Sequence, residues 1–154
     1  MLIGVPKEIK THEYRVGMTP SGVNELIRHG HKVLIQKHAG EAIGFSDQDY
    51  SAVGAEIVET AGDIFARSEM IVKVKEPQPS ECKMLRADQV LFTYLHLAPD
   101  PQQTKALLES GCIALAYETV TDCLGGLPLL APMSEVAGRL SIQAGAHALE
   151  KHKG

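Results

Sequence analysis

The sequence is short of cysteine, of basic charge and of long apolar runs, and each shortage removes a class of function. Cys82, Cys112 and Cys123 are an odd set without C-x-x-C spacing, so neither a disulfide framework nor a zinc site is expected, and a reducing, cytoplasmic setting fits best. Fifteen Lys plus Arg against nineteen Asp plus Glu give a net charge of -4, without the basic stripe that a nucleic-acid binder needs to displace counterions. No apolar run reaches membrane-spanning length, and Met1-Leu2-Ile3-Gly4-Val5 reads as a strand rather than a leader, so neither membrane insertion nor export is expected. Gly4-Val5-Pro6-Lys7-Glu8-Ile9, at the first strand-to-helix junction, holds one glycine where a dinucleotide-binding turn would carry Gly-x-Gly-x-x-Gly. His12, His29, His31, His38, His147 and His152 lack ligand spacing, and no metal is expected.

What is present is a regular alternation of strand and helix signals. Strands are predicted at 1–5, 32–36, 56–58, 70–75, 90–96 and 113–117, each rich in β-branched or aromatic residues and bounded by Gly, Pro or Asp. Between them lie helices with recognisable starts: Thr19 followed by Pro20, the capping-box pattern Ser46-Asp47-Gln48-Asp49, and Asp100 followed by Pro101. Gly30 and Gly111 stop two of them. Further helical turns are predicted over 60–68, and over 79–88 with Met84 and Leu85 inward; Leu107 and Leu108 are expected to pack the helix after Asp100. Strands joined through helices by short loops specify an α/β fold, a Rossmann-like, mostly parallel sheet with helices on both faces and right-handed crossovers. A chain of 154 residues has room for one such domain, burying about 70% of its unfolded surface. After the turn Leu124-Gly125-Gly126-Leu127-Pro128 comes a long helical segment to Lys151, with Ala137, Ser141, Ala144, Gly145 and Ala148 three or four apart. This small-residue face lets another backbone approach closely and reads as a linker or an interface.

Two predicted strands finish on basic residues, Lys75 and His96, at matching ends where ligands gather in open parallel sheets. Lys75 is either a compact positive charge for a carbonyl or carboxylate oxygen or a solvated lysine ending a strand. His96 is either a general acid/base with a near-neutral reference pKa or a histidine capping its strand. Arg15 offers a planar fork to a carboxylate, against an ordinary exposed arginine.

Taken with Ile3-Gly4-Val5-Pro6-Lys7-Glu8, Glu13-Tyr14-Arg15-Val16, Val74-Lys75-Glu76-Pro77, Phe92-Thr93-Tyr94-Leu95-His96-Leu97-Ala98 and Ala131-Pro132-Met133-Ser134-Glu135-Val136-Ala137-Gly138, these residues resemble the amino-terminal part of the alanine dehydrogenase family, with nicotinamide nucleotide transhydrogenase alpha subunits more distant. The resemblance covers essentially the whole chain. It implies reversible NAD-linked oxidative deamination of L-alanine to pyruvate and ammonium, with Arg15 on the substrate carboxylate, Lys75 at the carbonyl or imine side, His96 as catalytic acid/base and Ser134 at the dinucleotide. It also implies a homo-oligomer, a hexamer in the family. On this reading residues 1–130 are a substrate-binding domain lacking the family's return segment, residues 131–154 are an interdomain linker helix, and the NAD-binding domain is absent. A fragment or truncated gene product is therefore expected, with no NAD-linked turnover alone. The alternatives are a free-standing binding or interaction module and a transhydrogenase-like domain.

Overall fold

In a computed structural model, which describes residues 1–153, the chain divides into two compact units, Met1–Ala116 and the residues from Tyr117 on. The first unit is built in the order β1 (Leu2–Val5), α1 (Pro20–Arg28), β2 (Lys32–Gln36), α2 (Asp47–Ala52), β3 (Glu56–Val58), α3 (Ala61–Arg67), β4 (Met70–Val72), α4 (Pro79–Cys82), β5 (Val90–Thr93), α5 (Pro101–Ser110) and β6 (Ile113–Ala116). A single 3-10 turn, Glu41–Ile43, precedes α2. The strands form one six-stranded sheet in the order β3-β2-β1-β4-β5-β6, and every pairing is parallel.

The helix starts follow from their side chains. Thr19 Oγ1 accepts from the Gly22 N–H with Pro20 in the first turn, Ser46 and Asp49 form a reciprocal capping box, and Asp100 Oδ1 accepts from the Gln103 N–H at 2.9 Å. α1 ends where Gly30 turns left-handed at φ 82°.

Two apolar layers sandwich the sheet. Ile3, Val5, Val33, Ile35 and Val72 pack with Val23 of α1 and Tyr50 of α2, whereas Leu34, Ile71 and Leu91 pack with Ile64 and Phe65 of α3 and Leu107 of α5. Ile3, Val5, Ile35, Ile71 and Leu91 are each at most 3% exposed, as expected for a parallel sheet. Leu108, expected to share the packing of Leu107, instead points outward and is 78% exposed. It stands one residue, about 100° of helix rotation, from the buried stripe.

Several elements are shorter than their sequence signals. β4 and β5 stop at Val72 and Thr93, so Lys75 and His96 lie past the strand ends rather than within them. The helix expected over 79–88 is a single turn, α4, after which Met84 and Leu85 still turn toward the second apolar layer. In the second unit, α6 (Ala131–Ala148) ends three residues before Lys151. Ahead of it, Asp122 Oδ1 accepts from the Leu124 and Gly126 N–H groups, both at 2.8 Å, forming the turn expected at Gly125-Gly126.

Candidate functional site

The order of the sheet reverses between β1 and β4, the switch point outside whose carboxyl ends open parallel sheets gather their ligands. Residues 6–19, leaving β1, run against this edge. Gly17 lies so close to the end of β4 that a Cβ on it would sit 2.6 Å from the Val72 carbonyl oxygen. Only a residue without a side chain permits this backbone-on-backbone contact.

Under that loop is a buried ionic cluster. Lys73 Nζ donates to Glu8 Oε2 at 3.0 Å and to Glu81 Oε1 at 2.8 Å, with all three side chains no more than 2% exposed. Burial pushes the Glu8 carboxyl above its ordinary value, opposed by the Lys73 charge and the Val74 N–H. The other oxygen of Glu8 accepts from the Val74 N–H at 2.7 Å and the Lys75 N–H at 3.4 Å. Glu81 also caps α4, its Oε2 accepting from the Gln78 N–H at 2.8 Å.

These contacts carry β4 to Lys75, which is half-buried. The neighbouring ladder continues past the strand ends, with Lys73 N–H donating to Phe92 C=O and Tyr94 N–H to Val74 C=O. Thr93 Oγ1 then donates to the Lys75 carbonyl at 2.8 Å.

Arg15 comes to the same region from the β1 loop. Its Nε and Nη2 donate to the two oxygens of Glu13 at 2.8 and 2.6 Å. Hydrogen bonding from this fork holds the Glu13 carboxyl below the usual carboxylate range, and Glu13 in turn raises Arg15. The charge of Lys75 also lowers Glu13, as its smallest cause, and that of Glu8 raises Arg15.

His96 follows β5 at a φ of 48°, a left-handed turn that takes its exposed ring out of the strand path. The ring stacks on that of Tyr94, with centroids 6.1 Å apart and planes at 14°. Register places the segments containing Lys75 and His96 side by side, since Val72 is opposite Phe92. Ser134 is on α6 in the second unit, where its Oγ donates to the Leu130 carbonyl at 3.4 Å.

The sequence reading singled out Arg15, Lys75 and His96 but assigned nothing to Glu8, Glu13, Lys73, Glu81 or Thr93. One signal was available: Lys73 stands two residues after Ile71 in an apolar strand, and an inward lysine must find carboxylates. The choice of Glu8 and Glu81 as those partners depends on the loop and on α4, which local sequence does not reveal.

A dinucleotide does not fit the β1 junction. Residues 6–19 separate β1 from α1, so no tight glycine turn brings a helix N-terminus to a pyrophosphate, and Thr19 and Pro20 already occupy that helix start. A cleft of about 680 Å³ between α4 and α5 is lined by Lys10, Glu76, Pro77, Cys82 and Gln103, among others, and by none of Arg15, Lys75 and His96. Among the described residues, no cluster of His, Cys, Asp and Glu could hold a metal ion, and no helix is long and apolar enough to cross a membrane.

The fold defines residues 1–116 as an open, all-parallel α/β domain with Lys75 and His96 just past the carboxyl ends of β4 and β5. Comparison with known proteins narrows this. The family described as alanine dehydrogenase/PNT, N-terminal domain, matches residues 4–137. Over all 154 residues the chain is 57% identical to an alanine dehydrogenase of Halomonas elongata, covering 42% of that protein, and 52% identical to one of Mycobacterium tuberculosis, again covering 42%. A solved L-alanine dehydrogenase superposes over 100% of this chain and 42% of its own, with a TM-score of 0.92 and 53% identity. A transhydrogenase from Sinorhizobium meliloti, 24% identical, shares the fold, with a TM-score of 0.72 over 77% of this chain and 35% of its own. The chain belongs to the alanine dehydrogenase/PNT N-terminal domain family and spans about 42% of the length of these curated alanine dehydrogenases.

Proposed function

We propose that this chain supplies the substrate-recognising part of an L-alanine dehydrogenase, an NAD-linked oxidoreductase that interconverts L-alanine with pyruvate and ammonium. The observation that carries it is the placement of Lys75 and His96 just past the carboxyl ends of the adjoining strands β4 and β5, with Arg15, forked to Glu13, on the loop that leaves neighbouring β1. A 2-oxo acid such as pyruvate needs a bidentate cation for its carboxylate and a point charge for its keto oxygen, and Arg15 and Lys75 are of those two types. Glu13 engages two of the five guanidinium N–H donors and orients the fork. Lys75 stabilises negative charge on the keto oxygen, and His96 takes or returns a proton of the water that exchanges with ammonium.

The residues of the β1 junction offer no phosphate cradle, so the NAD that accepts the hydride is held elsewhere, and Ser134 is the residue of this chain we assign to it. Residues 1–130 then form the substrate domain and residues 131–154 an interdomain linker helix, in a protein that works as a homo-oligomer in the cytoplasm. The relationship to alanine dehydrogenases rather than to transhydrogenase rests on 52 to 57% against 24% identity.

Titration of the nitrogen-15-labelled chain with pyruvate tests the reading. Saturable shifts should appear at Arg15, Lys75 and His96 and vanish in Arg15→Ala. Saturable shifts confined to other residues, or none, would overturn the substrate assignment and favour an interaction module. Pyruvate-dependent NADH oxidation by the 154-residue chain alone would overturn the view that it lacks a cofactor cradle.

A further inference from the structure

The ionic cluster under the β1 loop has no part in the reading above, yet it ends on Lys75. Where β4 leaves the regular ladder its amide groups still need partners. On the β1 side the strand pairing has ended, because β1 stops at Val5 and is followed by Pro6. Glu8 substitutes for the missing strand: one carboxylate oxygen takes the Val74 and Lys75 N–H groups at 2.7 and 3.4 Å. Its second oxygen is anchored by Lys73 at 3.0 Å, and Lys73 is itself anchored by Glu81 at 2.8 Å. On the far side the Thr93 hydroxyl, on a residue with 0% exposure, donates to the Lys75 carbonyl at 2.8 Å. The peptide groups of Lys75 are thus gripped at both ends by side chains, one from the loop after β1 and one from β5.

We propose that Glu8 and Thr93 are positioning residues for Lys75, fixing its backbone so that the ammonium is presented to the substrate's keto oxygen; this rests on the assignment of Lys75 to that oxygen. The buried charges are in place because an apolar side chain could not accept two backbone N–H groups and still be tied to β4. A substrate-binding group displaced by ~1 Å loses on the order of 100-fold in effect, so a clamp on its own peptide has functional weight.

The cluster allows a controlled test, since its two carboxylates differ in one respect. Glu8 touches the Lys75 amide, whereas Glu81 touches Lys73 and the α4 cap only. In Glu8→Gln the single amide oxygen cannot serve both the Lys73 ammonium and the two backbone N–H groups. In Glu81→Gln the Lys75 clamp stays intact although Lys73 again loses a carboxylate. Thr93→Val removes the hydroxyl at near-constant shape, and Thr93→Ser restores it.

Pyruvate dissociation constants and the Lys75 amide resonance would be measured for the 154-residue chain and these four variants. Glu8→Gln and Thr93→Val should weaken pyruvate by about tenfold or more. Glu8→Gln should also move the Lys75 amide proton upfield, while Glu81→Gln and Thr93→Ser bind pyruvate as the parent does. If Glu81→Gln weakens binding as much as Glu8→Gln at matched loss of stability, or if the Lys75 amide and the affinity are unmoved in Glu8→Gln, the positioning role is overturned. Should Glu8→Gln not fold, the Thr93→Val and Thr93→Ser pair decides the matter by the same comparison. Lys75→Ala separates the two claims. Unchanged pyruvate affinity there sinks the functional assignment of Lys75, and with it the presentation of its ammonium to substrate, whereas the amide resonance still reports whether Glu8 holds the peptide.

Discussion

Replacing Lys73 by Met removes the cation of the buried cluster while keeping the length of its stem. Lys73 is 1% exposed, and the Glu8 and Glu81 side chains that face it are each 2% exposed, so neither carboxylate can turn to water. Breaking a buried pair by deleting one partner costs about 3–5 kcal/mol, because the other charge is left uncompensated. Here two like charges are left against each other, which places the expected loss at the upper end, a large part of the ~5–15 kcal/mol that holds a domain together. The sign of the pH dependence follows from burial. Without Lys73, desolvation and repulsion from Glu81 hold the folded-state Glu8 carboxyl further above the ordinary 4.5 of a glutamate. A raised group gives stability that is fully present below its unfolded value and lost as pH rises through the folded one, so the deficit should be deep at pH 7 and smaller near pH 5. Urea denaturation followed by far-UV circular dichroism at both values measures this. A deficit under ~1 kcal/mol at pH 7, or the same deficit at both, would refute the reasoning.

Glu13→Gln weakens a pair whose arginine is 44% exposed, so solvent screening limits the expected cost to about 0–1 kcal/mol. Because Arg15 depresses the Glu13 carboxyl, that contribution is present above the ordinary glutamate value and is lost as pH falls through the depressed one. Parent and variant urea midpoints should therefore converge in acid; a gap that widens there would contradict the assignment. Gly17→Ala drives a Cβ to 2.6 Å from the Val72 oxygen, 3.0 Å from its carbon and 3.1 Å from Lys73 Cα, all backbone atoms that no rotamer change can move aside. The loop must lift, at about 1–3 kcal/mol, with a lower thermal midpoint and weaker pyruvate binding; unaltered melting would show that the loop does not bear on β4.

The fold was largely legible because its signals are local. Thr19-Pro20, Ser46 to Asp49, Asp100-Pro101, Gly30 and Gly111 act within one turn of themselves, and each marks a helix boundary in the structure. Lys75 and His96 were legible as candidates because cations at strand ends of an open parallel sheet stand out against apolar runs, whereas Arg15, in the loop after β1, was singled out only for its planar fork. Their supports were not. Glu8 and Lys73 are 65 residues apart and meet only because β1 and β4 become neighbours when the chain crosses back over the sheet. The strand ends were overread for a related reason: apolar composition continues through Val74 and Leu95, but hydrogen bonding to Glu8 and the left-handed His96 end the regular pattern earlier.

The same topology that cradles dinucleotides in other proteins carries here a long connection where they have a tight turn. A tight glycine turn after β1 would leave the switch-point crevice open and aim the N–H groups of a helix into it. Residues 6–19 instead fill that place with the chain's own atoms: Glu8 takes the amides at the end of β4, and Gly17 lies on its backbone. Arg15 stands between them in sequence, so it is carried on a loop fastened to β4 on either side of it. A loop held this way carries a planar cation and reduces the room for a pyrophosphate at this edge, as the proposed small-acid substrate requires. If that is why the connection is long, shortening residues 9–12 while keeping Glu8, Glu13, Arg15 and Gly17 should displace Arg15 and abolish pyruvate shifts at Arg15, leaving the β1–β4 pairing intact. Loss of the sheet's amide protection in that variant would show instead that the loop is needed to fold the crevice at all.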